Sequence, residues 1–115
     1  MIQITPQMRV LVGVEPADFR AGIDALAERC RTVLETDPFS GAVFVFRNKR
    51  RTAIKVLVYD GQGFWLCHKR FSSGRFGFWP SQRELEVHEL AVLLRGGDPR
   101  GTRAVAVWQR VNGGG

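Results

Sequence analysis

The stretch from Gly41 to Arg70, GAVFVFRNKRRTAIKVLVYDGQGFWLCHKR, restricts what this chain can fold into more than any other part of it. Three apolar runs are separated by two breaks of different chemistry, which reads as a three-stranded antiparallel meander. Asp60-Gly61 is the stronger hairpin signal, because a type I′ turn needs positive φ at both central residues and Asp followed by Gly tolerates that best. The other break, Asn48 to Thr52, is a basic loop. In a meander the end of the third strand lies beside the start of the second, so Lys69 and Arg70 return next to Lys49, Arg50 and Arg51.

Strict alternation through both turns sorts the meander into two faces. One carries Phe44, Phe46, Ile54, Val56, Val58, Trp65 and Cys67. The other carries Val43, Val45, Leu57, Tyr59, Phe64 and Leu66, with Lys55 and His68 toward the basic end. Neither face is polar enough to stand in water, so both require a cover of helix, strand or partner. If the C-terminal helix and last strand leave the second face open, it becomes an apolar patch that seeks a copy of itself or another protein.

Charge is distributed unevenly. Arg47 to Arg75 holds eight basic residues against one acid, a local net charge of +7, while the whole chain carries +6. Such a single-sign field at a sheet end is the footprint of a surface that meets phosphates or an acidic protein. The plainer alternative is a solvated hairpin tip that resists aggregation. Cys30 and Cys67 are the only cysteines and have no motif spacing, so the expectation is a reducing cytosol without disulfides. The opening MIQITPQMR lacks the apolar core of a signal peptide, and no apolar run is long enough to span a membrane, so the chain is expected to be soluble.

The remaining elements follow from periodicity. Met8 to Val14 reads as a first strand. Phe19, Ile23, Leu26, Cys30, Val33 and Leu34 mark one stripe of an amphipathic helix, expected to cover the Phe44/Trp65 face, with Gly22 pointing to a start later than Pro16. Phe76 to Trp79 reads as a short aromatic strand halted by Pro80. For Ser81 to Arg95 two readings stand: a helix from Ser81 with a Ser81/Glu84 capping box, or an extended segment through Leu85 and a helix from about Glu86. Leu90, Leu93 and Leu94 share a face in both, and Gly96 is the stop. Thr102 to Val111 reads as a final strand. The expectation is an α+β fold in one domain, residues 1–112, with an antiparallel sheet of about five strands built on the central meander, two helices, and a flexible glycine tail over 113–115.

Catalytic constellations are hard to assemble from these residues. Cys67 and His68, adjacent on a strand, point to opposite faces and do not suit a zinc site. Asp37, Asp60 and Asp98 fall in separate turns whose chemistry explains them, and no carboxylate sits on a core strand, against two-metal phosphoryl transfer. No glycine-rich phosphate loop leads from strand to helix. The reading is therefore a non-enzyme without metal or cofactor. Its binding candidates are Arg47, Lys49, Arg50, Arg51, Lys69, Arg70 and Arg75, which can lie along a duplex backbone or enter a groove as a two-stranded ribbon. Trp65 is assigned to the core and Trp79 to a partly exposed position. Lys55 reads as a snorkelling side chain near an edge, and His68 as a surface histidine.

The words DFRAGIDALA at Asp18 to Ala27, DPFSGAVFVFRNKRRTAIKVLVYDGQGFWLCHKRF at Asp37 to Phe71, GRFGFWP at Gly74 to Pro80 and ELAVLLRGGD at Glu89 to Asp98 carry a further signal. In that order they resemble the small accessory proteins, called TnpB, encoded beside the transposase of bacterial transposons of the insertion sequence 66 family. The RNA-guided nuclease of the same name is unrelated in sequence. The stretch after Gly96, with Asp98-Pro99 and TRAVAVWQRV, departs from that pattern. The resemblance implies a part in transposition beside a separate catalytic protein, in the bacterial cytoplasm and on the nucleoid. The partners expected are DNA, at transposon ends or as non-specific duplex, the transposase and other element-encoded proteins, and a second copy of the chain, with no membrane. The rival reading is a module that docks on the transposase without touching DNA.

Overall fold

A computed structural model describes residues 4–100. The expected strand over 102–111 and the glycine tail lie outside the described residues, as does the end of the single-domain span 1–112. Five strands form: β1 (Val10–Val12), β2 (Val43–Arg47), β3 (Ala53–Tyr59), β4 (Phe64–Arg70) and β5 (Glu84–Leu85). The helices are α1 (Ile23–Thr32) and α2 (Val87–Leu93). The strands assemble in the order β4-β3-β2-β1-β5. The fold is α+β, with the β2-β3-β4 meander antiparallel throughout.

One pair departs from the antiparallel expectation. β1 runs parallel to β2, with Val10 opposite Val43 and Val12 opposite Val45. A parallel pair needs a long crossover, and α1 with its flanking loops supplies it. The fifth strand is the extended segment ending at Leu85, which one of the two readings offered, and not the aromatic run. Phe76 to Trp79 makes no strand, because its rings turn inward: Phe76 and Trp79 are buried, and the Trp79 indole N–H donates to the Gly13 carbonyl at 2.9 Å. Trp79 is thus core and not partly exposed. Gly13 suits this crowded point, since a Cβ there would stand 2.9 Å from the Phe46 ring.

The face assignment of β2 is corrected by one residue. Phe44 pairs with Leu57, Val45 with Val56, Phe46 with Lys55 and Arg47 with Ile54. Phe44 and Phe46 therefore share a face with Leu57, Phe64 and Leu66, under α1. Val43 and Val45 join Ile54, Val56 and Val58 on the face under α2, Phe76 and Trp79. A one-residue change of register moves every side chain of a strand to the other face. Its source is the loop. Asn48 Oδ1 accepts from the Thr52 and Ala53 N–H groups at 2.9 and 3.1 Å, and Arg51 turns the chain with φ of 59°. The second apolar face therefore does not form as one surface, and the condition for an open patch is not met: Val43 and Val45 on one side of the sheet and Leu57 on the other are all at 0% exposure.

The Asp60 turn is built differently from the expected type I′. Tyr59 pairs with Phe64, and the Asp60 N–H donates to the Gly63 carbonyl at 3.0 Å, so the central residues are Gly61 and Gln62. Gly61 alone takes positive φ, 96°. Asp60 acts from the flank: Oδ1 accepts from the Gln62 and Gly63 N–H groups, each at 2.9 Å, and Oδ2 from the Trp65 indole at 2.7 Å. Trp65, expected in the core, is 42% exposed because it lies on edge strand β4.

The helices follow their caps. α1 begins at Ile23 with Gly22 as its N-cap, later than Pro16, because the preceding segment is held in other ways: the Ala17 N–H donates to the Arg47 carbonyl at 2.9 Å. Lys55 is not a snorkelling residue. It is buried, and its Nζ donates to the Phe19 and Ala21 carbonyls at 2.8 and 3.1 Å while lying over the Phe19 ring. α2 takes the shorter of its two readings, with Glu86 as N-cap in a reciprocal capping box with Glu89. Gly96, at φ of 82°, ends it: the Gly97 N–H returns to the Val92 carbonyl and the Gly96 N–H to that of Leu93.

Lys55→Met keeps the volume of the buried stem but leaves two carbonyls without their donor, and should cost about 2 to 3 kcal/mol of stability. Denaturant unfolding measures this, and an unchanged midpoint would show that the amine holds nothing. A second expectation concerns acid. The N–H groups of Gln62 and then Gly63, followed by the Trp65 indole, hold the Asp60 carboxyl below its ordinary value. Its stabilisation is present above the unfolded-state value and is lost as pH falls through the folded one. Asp60→Ala should therefore melt lower than wild type near neutral pH, with the gap closing below pH of about 4; a gap independent of pH would refute the carboxylate's role.

Candidate nucleic-acid interface

The register that fixes the core also fixes the basic end. Ala53 pairs with Arg70 and Ile54 with Lys69, so the end of β4 lies against the start of β3, where the Asn48–Thr52 loop emerges. The next segment is tied to the same place, since the Phe71 N–H donates to the Thr52 carbonyl at 2.9 Å and the Phe76 N–H to that of Arg51 at 3.0 Å. Between those two anchors the chain loops out and returns carrying Arg75.

The seven expected basic residues separate into groups. Lys49, Arg50, Arg51 and Arg75 line one open groove of about 470 Å³, with Phe76 and Gly77. Lys49, Arg50 and Arg75 are exposed, whereas Arg51 is half-buried and donates from its guanidinium to the Gly77 carbonyl at 3.2 Å. Arg70 is exposed at the end of β4. Lys69 is drawn elsewhere: its Nζ lies over the Phe71 ring and donates to the Leu94 carbonyl at 2.6 Å, the cap residue of α2. That is a favourable place for a cation, at the negative end of a helix.

Arg47 is the least available. It is half-buried, its Nε is buried without a hydrogen-bond partner, and its Nη1 donates to the Asn48 carbonyl at 3.3 Å. Burial, followed by the neighbouring Arg51 charge, pulls its guanidinium below the ordinary value, against a smaller upward pull from Glu15. An arginine in this position supports the loop more than it presents a charge.

Lys49 and Arg50 also line a second groove, of about 410 Å³, on the α1 side of the loop with Pro16, Ala17, Asp18, Phe19 and Asn48. Its one acid, Asp18, is paired with Arg20 at 2.9 Å. The residues that sequence reasoning passed over are those that shape the loop without carrying charge. Asn48 is the chief one, with Nδ2 donating to Thr52 Oγ1 at 2.8 Å in addition to the two bonds its Oδ1 accepts. The signal was present as an Asn at the start of a loop after an apolar run, a residue type that bonds its own backbone a few residues on.

Other chemistry is tied up in structure. Cys30 is buried, and burial pushes its thiol up to about 12. Glu86, His88 and Glu89 bring ligand-type atoms within 4.8 Å of one another. They stand on the solvent side of α2, where Glu89 accepts the Glu86 N–H at 2.9 Å and His88 pairs with Glu86 at 3.3 Å. No helix among the described residues is long and apolar enough to cross a membrane.

Comparison with known proteins matches the chain, over residues 8–104, to the family described as IS66 Orf2 like protein. Two uncharacterized proteins of Sinorhizobium fredii (strain NBRC 101917 / NGR234) are similar along nearly their whole length. One, y4jC, is 34% identical over 101 residues, covering 85% of this chain and 86% of the relative. The other, y4hO, is 36% identical over 104 residues, covering 87% and 90%. No solved structure matches. The match begins ahead of the first familiar words, at the residues that lead into β1, and runs past α2, so it takes in the whole sheet and all seven basic residues. The chain belongs to the IS66 Orf2-like family and is a transposition-associated accessory protein.

Proposed function

We propose that the protein is a non-catalytic accessory factor of insertion-sequence transposition that binds DNA through its basic hairpin end. The observation that carries this reading is the convergence of Lys49, Arg50, Arg51 and Arg75 on one groove at a sheet end. Four cations on one groove neutralise phosphates without needing base contacts, which gives affinity with modest sequence preference. Arg70 extends the same surface, whereas Lys69 and Arg47 serve the fold and contribute field more than contact. Action on the nucleoid in the bacterial cytoplasm follows from a DNA partner. Absence of catalysis fits the state of the acids: Asp18 and Asp98 are each paired with an arginine two residues on, and Asp60 is consumed by its own turn.

With about four phosphates contacted, log affinity should fall with log salt at a slope of roughly −4, and Lys49→Ala with Arg50→Ala and Arg75→Ala should make that slope shallower by roughly 3. The measurement is a salt titration on transposon-end and random duplexes. Absence of binding at low salt, or a slope that the triple variant leaves unchanged, would sink the reading.

A second reading has its own support at the opposite end of the sheet. Phe39 is 49% exposed and packs edge-on against Tyr59 and tilted against Phe64 at ring distances of 4.9 and 5.1 Å, while Trp65, 42% exposed, stands on the other face of the same hairpin end. Exposed large rings are favoured anchors of protein interfaces. This end suits the transposase or another element-encoded protein. Phe39→Ser with Trp65→Ser should leave DNA affinity within about twofold and abolish co-purification with the transposase; retained co-purification would remove the aromatic end from consideration.

A further inference from the structure

Resting on the DNA reading above, we infer that the hairpin tip is built to enter a groove of double-stranded nucleic acid, with a phosphate row on either side, and does not serve as a single-strand platform. Two observations carry this. The first is topographic. Lys49 and Arg50 are exposed and border both grooves, the one shared with Arg51 and Arg75 and the one shared with Pro16, Ala17, Asp18 and Phe19, where the Asp18 charge is offset by its pairing with Arg20. A pair of cations bordering two channels is the complement of a duplex groove, which is a channel between two phosphate rows. The major groove is about 12 Å wide and admits a two-stranded ribbon. A single strand offers one phosphate row and leaves the second channel unused.

The second observation is the state of the aromatic side chains at this end. Sequence-tolerant single-strand binders hold bases on exposed rings beside a basic track. Here the described rings near the basic residues are already engaged. Phe76 and Trp79 are buried and pack on each other with centroids 5.4 Å apart. Phe71 lies against Phe76 at 5.5 Å with the Lys69 amine over it. Phe19 has the Lys55 amine over its ring and His68 edge-on at 5.6 Å. Among the described residues the exposed rings, Phe39 and Trp65, lie at the other end of the sheet. What remains at the tip among the described residues is exposed charge, and that favours phosphate contact over base stacking.

The experiment titrates the full chain against a random-sequence 20-base-pair duplex and against mixed-sequence and oligo-dT single strands of 20 nucleotides, at one low salt concentration. The expected result is duplex binding at least tenfold tighter than either single strand, and at least a fivefold loss of duplex affinity for Arg75→Ala, which alters one channel only. A duplex preference under tenfold, or tighter single-strand binding, overturns the inference while leaving a nucleic-acid partner in place. Duplex affinity unchanged by Arg75→Ala also overturns it, since one of the two channels would then be idle. Binding to none of these probes overturns the DNA reading itself.

Discussion

The carboxamide of Asn48 is the constraint on which the rest of this structure turns. By accepting from two successive backbone N–H groups and donating to Thr52, it fixes how many residues the β2–β3 loop contains, and so which residue of β2 faces which residue of β3. Everything downstream inherits that choice. Phe46 is brought opposite Lys55, and both then lie on the face covered by α1 and the loop before it. The Val43/Val45 pair goes to the other side, against the valines of β3 and the ring of Trp79. With the register set, the backbone of the loop tip is a defined shape, and the Arg51 guanidinium is held against the Gly77 carbonyl.

Much of this was legible in the sequence. The meander, the return of the β4 end to the basic loop, the shorter α2 as one of two readings, and the stop at Gly96 all followed from alternation and turn chemistry. What alternation could not supply was parity across a loop. Asn48 to Thr52 contains five residues, and whether the ladder resumes in phase depends on a side chain bonding its own backbone, a local choice invisible to a two-residue period. The same limit misplaced Trp65 and Trp79. Trp65 is exposed because its strand is the edge, and Trp79 is buried because its segment folds onto the core without forming a strand, and both outcomes come from long-range pairing.

The candidate site was half legible for a related reason. Composition identified the basic stretch but treated its members as equivalent. Arg47 and Lys69 turned out to be engaged by backbone carbonyls, the former beside its own loop and the latter across the fold at α2. Lys55 is the extreme case, a cation inside the protein whose partners, the carbonyls of Phe19 and Ala21, come from a non-helical segment that carries no sequence signature of an acceptor. Carbonyl groups are present at every residue, so their use as ligands for lysine and arginine cannot be anticipated without the tertiary arrangement.

The sheet also partitions the molecule. The side chains under α1 and those under α2, Phe76 and Trp79 form separate buried sets, one on each side of the strands. Sites that share no partner contribute independently to stability, so a lineage can alter one half of the interior without compensating changes in the other. Divergence between relatives can therefore accumulate on either side of the sheet at its own rate. The strands between are where the two histories must agree, because each of their residues answers to its neighbours in the ladder as well as to its own half of the core.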